Sequence, residues 1–170
     1  MDYSQFLLAP DTAVQTYSLV FLLGSLTVSS LSDLKRMAAQ TDFAQVWAAF
    51  AVIMFAADSY FGLTGQMHLA AFLLKWALIA AFAVAASSAH LMSISTMDAA
   101  ALIALLSCGG PAHIVVALTL TLLVNELLKP VLKGYGEAGA YPYLPTVLVV
   151  NVLILLIIMA GGLEPILAAA

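Results

Sequence analysis

Met67-His68-Leu69-Ala70-Ala71-Phe72-Leu73-Leu74-Lys75-Trp76-Ala77-Leu78-Ile79-Ala80-Ala81-Phe82-Ala83-Val84-Ala85-Ala86 carries one charge, Lys75, in about 20 residues. A helix needs about that many apolar residues to cross the hydrocarbon of a bilayer. Outward from it, polar breaks delimit five further apolar runs, at roughly 13 to 31, 43 to 62, 89 to 108, 112 to 128 and 143 to 162. The breaks have local causes. Asp33-Leu34-Lys35-Arg36 follows the first run, Gly62 to Gln66 the second and Ser87-Ser88-Ala89-His90 the third. Cys108-Gly109-Gly110-Pro111 ends the fourth and Lys129 to Pro142 the fifth, since glycine and proline interrupt helices.

Composition agrees. The 170 residues are 64% hydrophobic and 8% charged, with a mean hydropathy of +1.10, where a soluble domain carries roughly 25% charge. The expected fold is therefore all-α, a six-transmembrane-helix bundle forming one membrane-embedded domain over residues 1–170, with the lipid bilayer as its surroundings. Five Lys or Arg offer no basic surface for nucleic acid. The single Cys108 cannot pair internally, lacks metal-site spacing, and reads as a small core residue. Met1-Asp2-Tyr3 has no basic stretch, so the first run is expected to be a span and not a cleavable signal.

Lys35, Arg36, Lys129 and Lys133 follow runs one and five, which a six-span count puts on one side. Basic residues concentrate on the cytoplasmic side, so both termini are expected outside. Lys75 lies across a tight hairpin from Asp58 and is expected to form an internal ion pair or to snorkel, because a lone charge in lipid is costly.

Two acids stand out. Asp33 closes the first run and Asp98 lies in the half of run four nearer the same face. Ionisable residues inside spans are functional candidates. Each also has a local explanation: Lys35 could neutralise Asp33, and Ser95 could be an N-cap with Asp98 completing a capping box. The helix after Ser95 is only about 12 residues long and cannot span alone, so its start falls within the membrane thickness, where broken backbone survives only beside protein or water. Two acids facing one cavity cannot both ionise cheaply, so one keeps its proton. The charged member can then activate water while the protonated member donates to a scissile carbonyl, giving peptide hydrolysis without a covalent intermediate.

Three blocks carry a resemblance: Ser32-Asp33-Leu34-Lys35-Arg36; Asp98-Ala99-Ala100-Ala101-Leu102-Ile103-Ala104-Leu105; and Asn125 to Pro130 with Pro142-Tyr143-Leu144-Pro145. Together they make the chain resemble the type IV prepilin peptidases, particularly the compact archaeal preflagellin peptidases, within the GxGD aspartyl proteases. The resemblance implies an aspartic endopeptidase with Asp33 and Asp98 as catalytic residues. It also implies supporting or substrate-binding roles for Ser95, Thr96, Met97, Pro142, Leu144, Pro145, Lys35 and Arg36. The implied partners are pilin-like or flagellin-like precursors, cut at the cytoplasmic face of a prokaryotic plasma membrane, with no cofactor and no metal. Ser95-Thr96-Met97-Asp98 occupies the GxGD position, so both glycines are replaced.

Two alternatives differ in class. Asp33, Asp98, Asp58 and Lys75 could form the relay of a proton-coupled transporter or channel subunit, or the chain could be an inactive assembly scaffold of the same family. His68, His90 and His113 read as loop or interface residues, and Trp47, Trp76, Tyr60, Tyr141 and Tyr143 as interfacial aromatics. Glu126, Lys129 and Lys133 have helical spacing and read as a local ion pair, with Glu126 as a contact for a substrate leader the lesser alternative.

Overall fold

The structure is a computed structural model and describes residues 12–36, 41–88, 94–136 and 140–160. Six α-helices occur among them: α1 Thr12–Arg36, α2 Thr41–Leu63, α3 Leu69–Ser87, α4 Thr96–Ser107, α5 Pro111–Leu132 and α6 Leu144–Met159. A 3-10 turn, Lys133–Tyr135, extends α5. Four segments are long and apolar enough to cross a membrane: Ala13–Lys35, Asp42–Leu63, Leu69–Ser87 and Pro111–Tyr135.

The six full spans expected from sequence are thus four, with two shorter helices. α4 starts at Thr96 and not near residue 89, because Ser95 adopts an extended conformation and caps the helix there. Its 12 residues rise about 18 Å, and the 16 of α6 about 24 Å, against roughly 30 Å of hydrocarbon.

α1 and α2 run antiparallel. Ser18, Phe21 and Ser25 of α1 meet Met54, Phe50 and Trp47 of α2 in reverse order. Gly65, at φ 74°, turns the tight connection from α2 to α3, a left-handed conformation that glycine adopts without a Cβ clash. The short helix α4 is central: it packs against all five others, and Ala101, Leu102, Ala104, Leu105 and Leu106 are buried. α6 packs most extensively on α1. Large apolar side chains such as Ile53, Leu73 and Leu122 face outward, as expected of helices solvated by lipid.

One end of this bundle gathers Asp33, the start of α4 and the start of α6. The other gathers Gln15, Asp58, Lys75, Ser107 and His113, joined by the contacts described below.

Candidate active site

Along α1, Leu19, Leu22, Leu26, Ser29, Ser30 and Asp33 are all buried. Their three- and four-residue spacing puts them on one helix face, so Asp33 is the polar terminus of the core stripe. Its 8% exposure reflects packing against the start of α6.

That start needs a partner. The N-cap position of α6 is Tyr143, which makes no side-chain cap bond, and Pro145 has no N–H to give. The first N–H groups of a helix have no partner within the helix. Asp33 supplies one: the Leu144 N–H donates to Asp33 Oδ2 at 3.3 Å, and the Tyr143 amide also acts on the carboxylate. Asp33 therefore caps α6 from another helix. No ion pair joins Asp33 to Lys35, which is exposed; the backbone amides take the role that sequence reasoning offered to the lysine.

Asp98 is held differently. The expected capping box is present: Asp98 N–H donates to Ser95 Oγ at 3.1 Å, and Asp98 Oδ2 accepts from the Ser95 N–H at 3.3 Å and from the Ser95 hydroxyl at 2.7 Å. Both acids thus sit at helix N-termini, where the backbone dipole favours a carboxylate. The charge of Asp33 bears directly on the Asp98 carboxyl. Residues 65 positions apart in sequence have become electrostatic neighbours.

Around them, Pro142, Leu144 and Pro145 are buried, Met97 is half-buried against the core, and Thr96 is exposed. Arg36 ends α1, and its side chain lies outside the described residues, as do His90 and Met37 to Gln40. Tyr141 donates to Asn125 Oδ1 at 3.1 Å, fastening α5 to the segment before α6 at this end. Sequence reading treated Tyr143 only as an interfacial aromatic. Its ring is half-buried and feels the charge of Asp98 while its amide acts on Asp33. Its position between Pro142 and Pro145 was the available signal.

Four buried side chains adjoin this end without a hydrogen-bond partner among the described residues: Ser29 and Ser30 on α1, and Thr146 and Asn151 on α6. Each such group costs roughly 1–3 kcal/mol if it stays unpaired.

The opposite end is also polar, with a plain structural explanation. The Lys75 ammonium lies 2.6 Å from Asp58 Oδ2 and donates to the Ser107 carbonyl at 2.7 Å. Trp76 Nε1–H donates to the same Asp58 oxygen at 2.9 Å. His113 Nε2 is 2.9 Å from the Leu105 carbonyl, and its Nδ1 is 3.3 Å from Gln15 Nε2. With the proton on Nε2, the imidazole gives to Leu105 and accepts from Gln15. Lys75 and His113 therefore satisfy carbonyls at the C-terminus of α4, which ends too deep for water to do so. Cys108 is buried, as expected, with Sγ donating to the Ala104 carbonyl at 3.4 Å.

His113 corrects the sequence reading, for it is a core residue and not an interfacial one. So is Trp47, which is fully buried with Nε1–H donating to Ser25 Oγ at 3.0 Å. The described residues contain no group of three or more His, Cys, Asp or Glu able to hold a metal ion. Comparison with protein families, curated proteins and solved structures finds no match to this chain.

Proposed function

We propose that the chain is a membrane-embedded aspartic endopeptidase that removes leader peptides from pilin-like or flagellin-like precursors. The observation carrying this reading is the placement of Asp33 and Asp98 at one end of an apolar bundle, each at a helix N-terminus and with the charge of Asp33 acting on the Asp98 carboxyl. Like charges in one site hold a proton between them. In that state the dyad offers a carboxylate to activate water and a carboxylic acid to polarise the scissile carbonyl and protonate the leaving amine. In this reading the proton belongs to the pair and not to either acid alone. The likeness of the Asp33, Asp98 and Pro142–Pro145 blocks to the prepilin peptidase family supports the same assignment.

In this proposal all six helices pass through the membrane. Lys35, Arg36, Lys129 and Lys133 mark the dyad end as cytoplasmic in a prokaryotic plasma membrane, with both termini outside. A basic leader held at that face would bring the first residues of its apolar helix to the dyad. The test is incubation of the purified protein, in detergent or lipid, with a panel of precursor peptides carrying a basic leader and an apolar helix. A single cut near the leader boundary that disappears in Asp98→Asn is the expected result. Uncut peptides across the panel, or cutting that persists in Asp33→Asn and Asp98→Asn, would overturn the assignment.

One observation favours a second reading, an inactive assembly scaffold of the same family. Both aspartates already perform structural capping, which would retain them without catalysis. The relay reading has less support. Lys75 and Asp58 are paired with each other at the far end, and Leu19, Leu22 and Leu26 form the α1 core stripe between the ends.

A further inference from the structure

Ser29, Ser30, Thr146 and Asn151 have exposures of 0%, 2%, 0% and 0%, and their buried hydroxyl and amide atoms have no partner among the described residues. Asn151 is the extreme case, with both its amide oxygen and its amide nitrogen unpartnered. They also occupy neighbouring levels along α1 and α6. Ser29 and Ser30 lie one helical turn from Asp33 on the same face of α1, the face that meets α6. Thr146 lies in the first turn of α6, and Asn151 two turns beyond Leu144, whose amide binds Asp33.

Measured along the helix axes, these groups sit at depths of roughly 3 to 11 Å from the level of Asp33, with gaps of roughly 5 Å or less. Buried polar groups in proteins are paired, and where no protein atom serves, an ordered water with two to four polar neighbours does. A seam of Leu, Val and Ile would have packed α1 on α6 without these groups. A hydrolase enclosed by apolar helices also has a need that such a seam meets, because each cleavage consumes one water at the dyad.

We propose that Ser29, Ser30, Thr146 and Asn151 bind a short file of water along the α1–α6 seam, which holds the hydrolytic water within reach of Asp33. The use of that water rests on the peptidase reading; its presence does not. The side chains offer both donors and acceptors, as water requires and an ion of either sign does not. Asn151 closes the inner end of the file, since the next buried residues of α6, Ile154 and Leu155, are apolar.

The experiment is hydroxyl-radical footprinting of the full-length protein in lipid nanodiscs by brief X-ray pulses in 18O-water, read by mass spectrometry. Radicals form from water where it is bound, so Leu26, Val147 and Leu155, each one turn from a member of the file, should take up label. Leu22 and Leu102, equally buried but away from it, should not. Asn151→Leu should abolish label at Val147 and Leu155, and Thr146→Val, nearly isosteric, should reduce it, which keeps the test available should the first variant fold poorly. Turnover of a precursor peptide should fall about 10-fold in either variant with KM unchanged, the scale of one lost hydrogen bond. Label at Leu26, Val147 and Leu155 no higher than at Leu22 would overturn the proposal, even with cleavage intact. Label without any cleavage by the wild type would instead overturn the peptidase and, with it, the hydrolytic use of the water.

Discussion

The Leu144 amide donates to the Asp33 carboxylate across 111 residues of sequence, at 3.3 Å. This bond makes the start of α6 a dependant of α1 and gives Asp33 a structural job beside any chemical one. The two jobs separate by substitution. Asn keeps an acceptor oxygen where Asp33 has one and remains a good cap, whereas Ala removes it.

Asp33→Ala should lower unfolding stability by about 1 kcal/mol, and Asp33→Asn by a few tenths at most. Both should abolish cleavage. Denaturant unfolding in detergent, run beside a peptide-cleavage assay, checks this; activity that follows stability across the two variants would show that Asp33 acts only as a cap.

At Asp98 the capping partner can be removed without touching the acid. Ser95→Ala deletes the hydroxyl that both accepts from the Asp98 amide and donates to its carboxylate. A loss of about 1 kcal/mol is expected in the same unfolding measurement. Ser95→Thr should restore most of it.

A pair of acids sharing charge titrates in two steps that belong to the pair. Cleavage should therefore follow a bell-shaped pH profile, rising as the first proton leaves the dyad and falling as the second leaves. Stopped peptide assays across the pH range test it. A profile with a single ascending limb and a flat plateau would mean that one acid works alone.

Much of this arrangement was legible in the sequence, and the part that was not has a common cause. The Ser95–Asp98 box and the Glu126–Lys129 pair, at 3.2 Å, are local, fixed by helical spacing. The Asp58–Lys75 pair was visible because a tight hairpin joins its two helices and a lone lysine in lipid must find an acid. The Asp33–Leu144 bond had no such pointer, because helix periodicity says which face is buried and not which backbone amide it will meet. Trp47 and His113 were misplaced for a related reason: each buries its polar atom by finding a distant acceptor, Ser25 Oγ or the Leu105 carbonyl, that sequence does not announce.

Breaking the far-end ion pair should be the most damaging single change in the bundle. Lys75→Met leaves Asp58 buried with its counter-charge gone and the Ser107 carbonyl unmatched, a loss on the order of 3–5 kcal/mol. Adding Asp58→Leu should recover a large share, because an apolar pair often replaces a buried ion pair without penalty. Thermal unfolding of the single and double variants measures it, and an unchanged proton permeability in liposomes would separate this structural role from a relay.

Gly109 lies under the His113 ring, where an added Cβ would collide with His113 Cβ and Cγ and come 2.7 Å from Gln15 Nε2. Gly109→Ala should therefore displace the imidazole and free the Leu105 carbonyl, with a loss of about 1–3 kcal/mol. A partial rescue by His113→Gly, which removes both colliding atoms, read by the same unfolding curves, would locate the clash.

The short helix α4 carries its own cap at one end, Ser95 with Asp98, and is held at the other by Lys75 of α3 and His113 of α5. A slide of one residue, about 1.5 Å, would break the Lys75 and His113 contacts, while the capping box would travel with the helix. In the proposed peptidase, a motion that admits a precursor while keeping these far-end contacts would swing the outer staves about α4 as an axle. If the proposed peptidase works in this way, Asp98 would keep its station, and Asp33, carried on an outer stave, would be the acid whose approach times the cut.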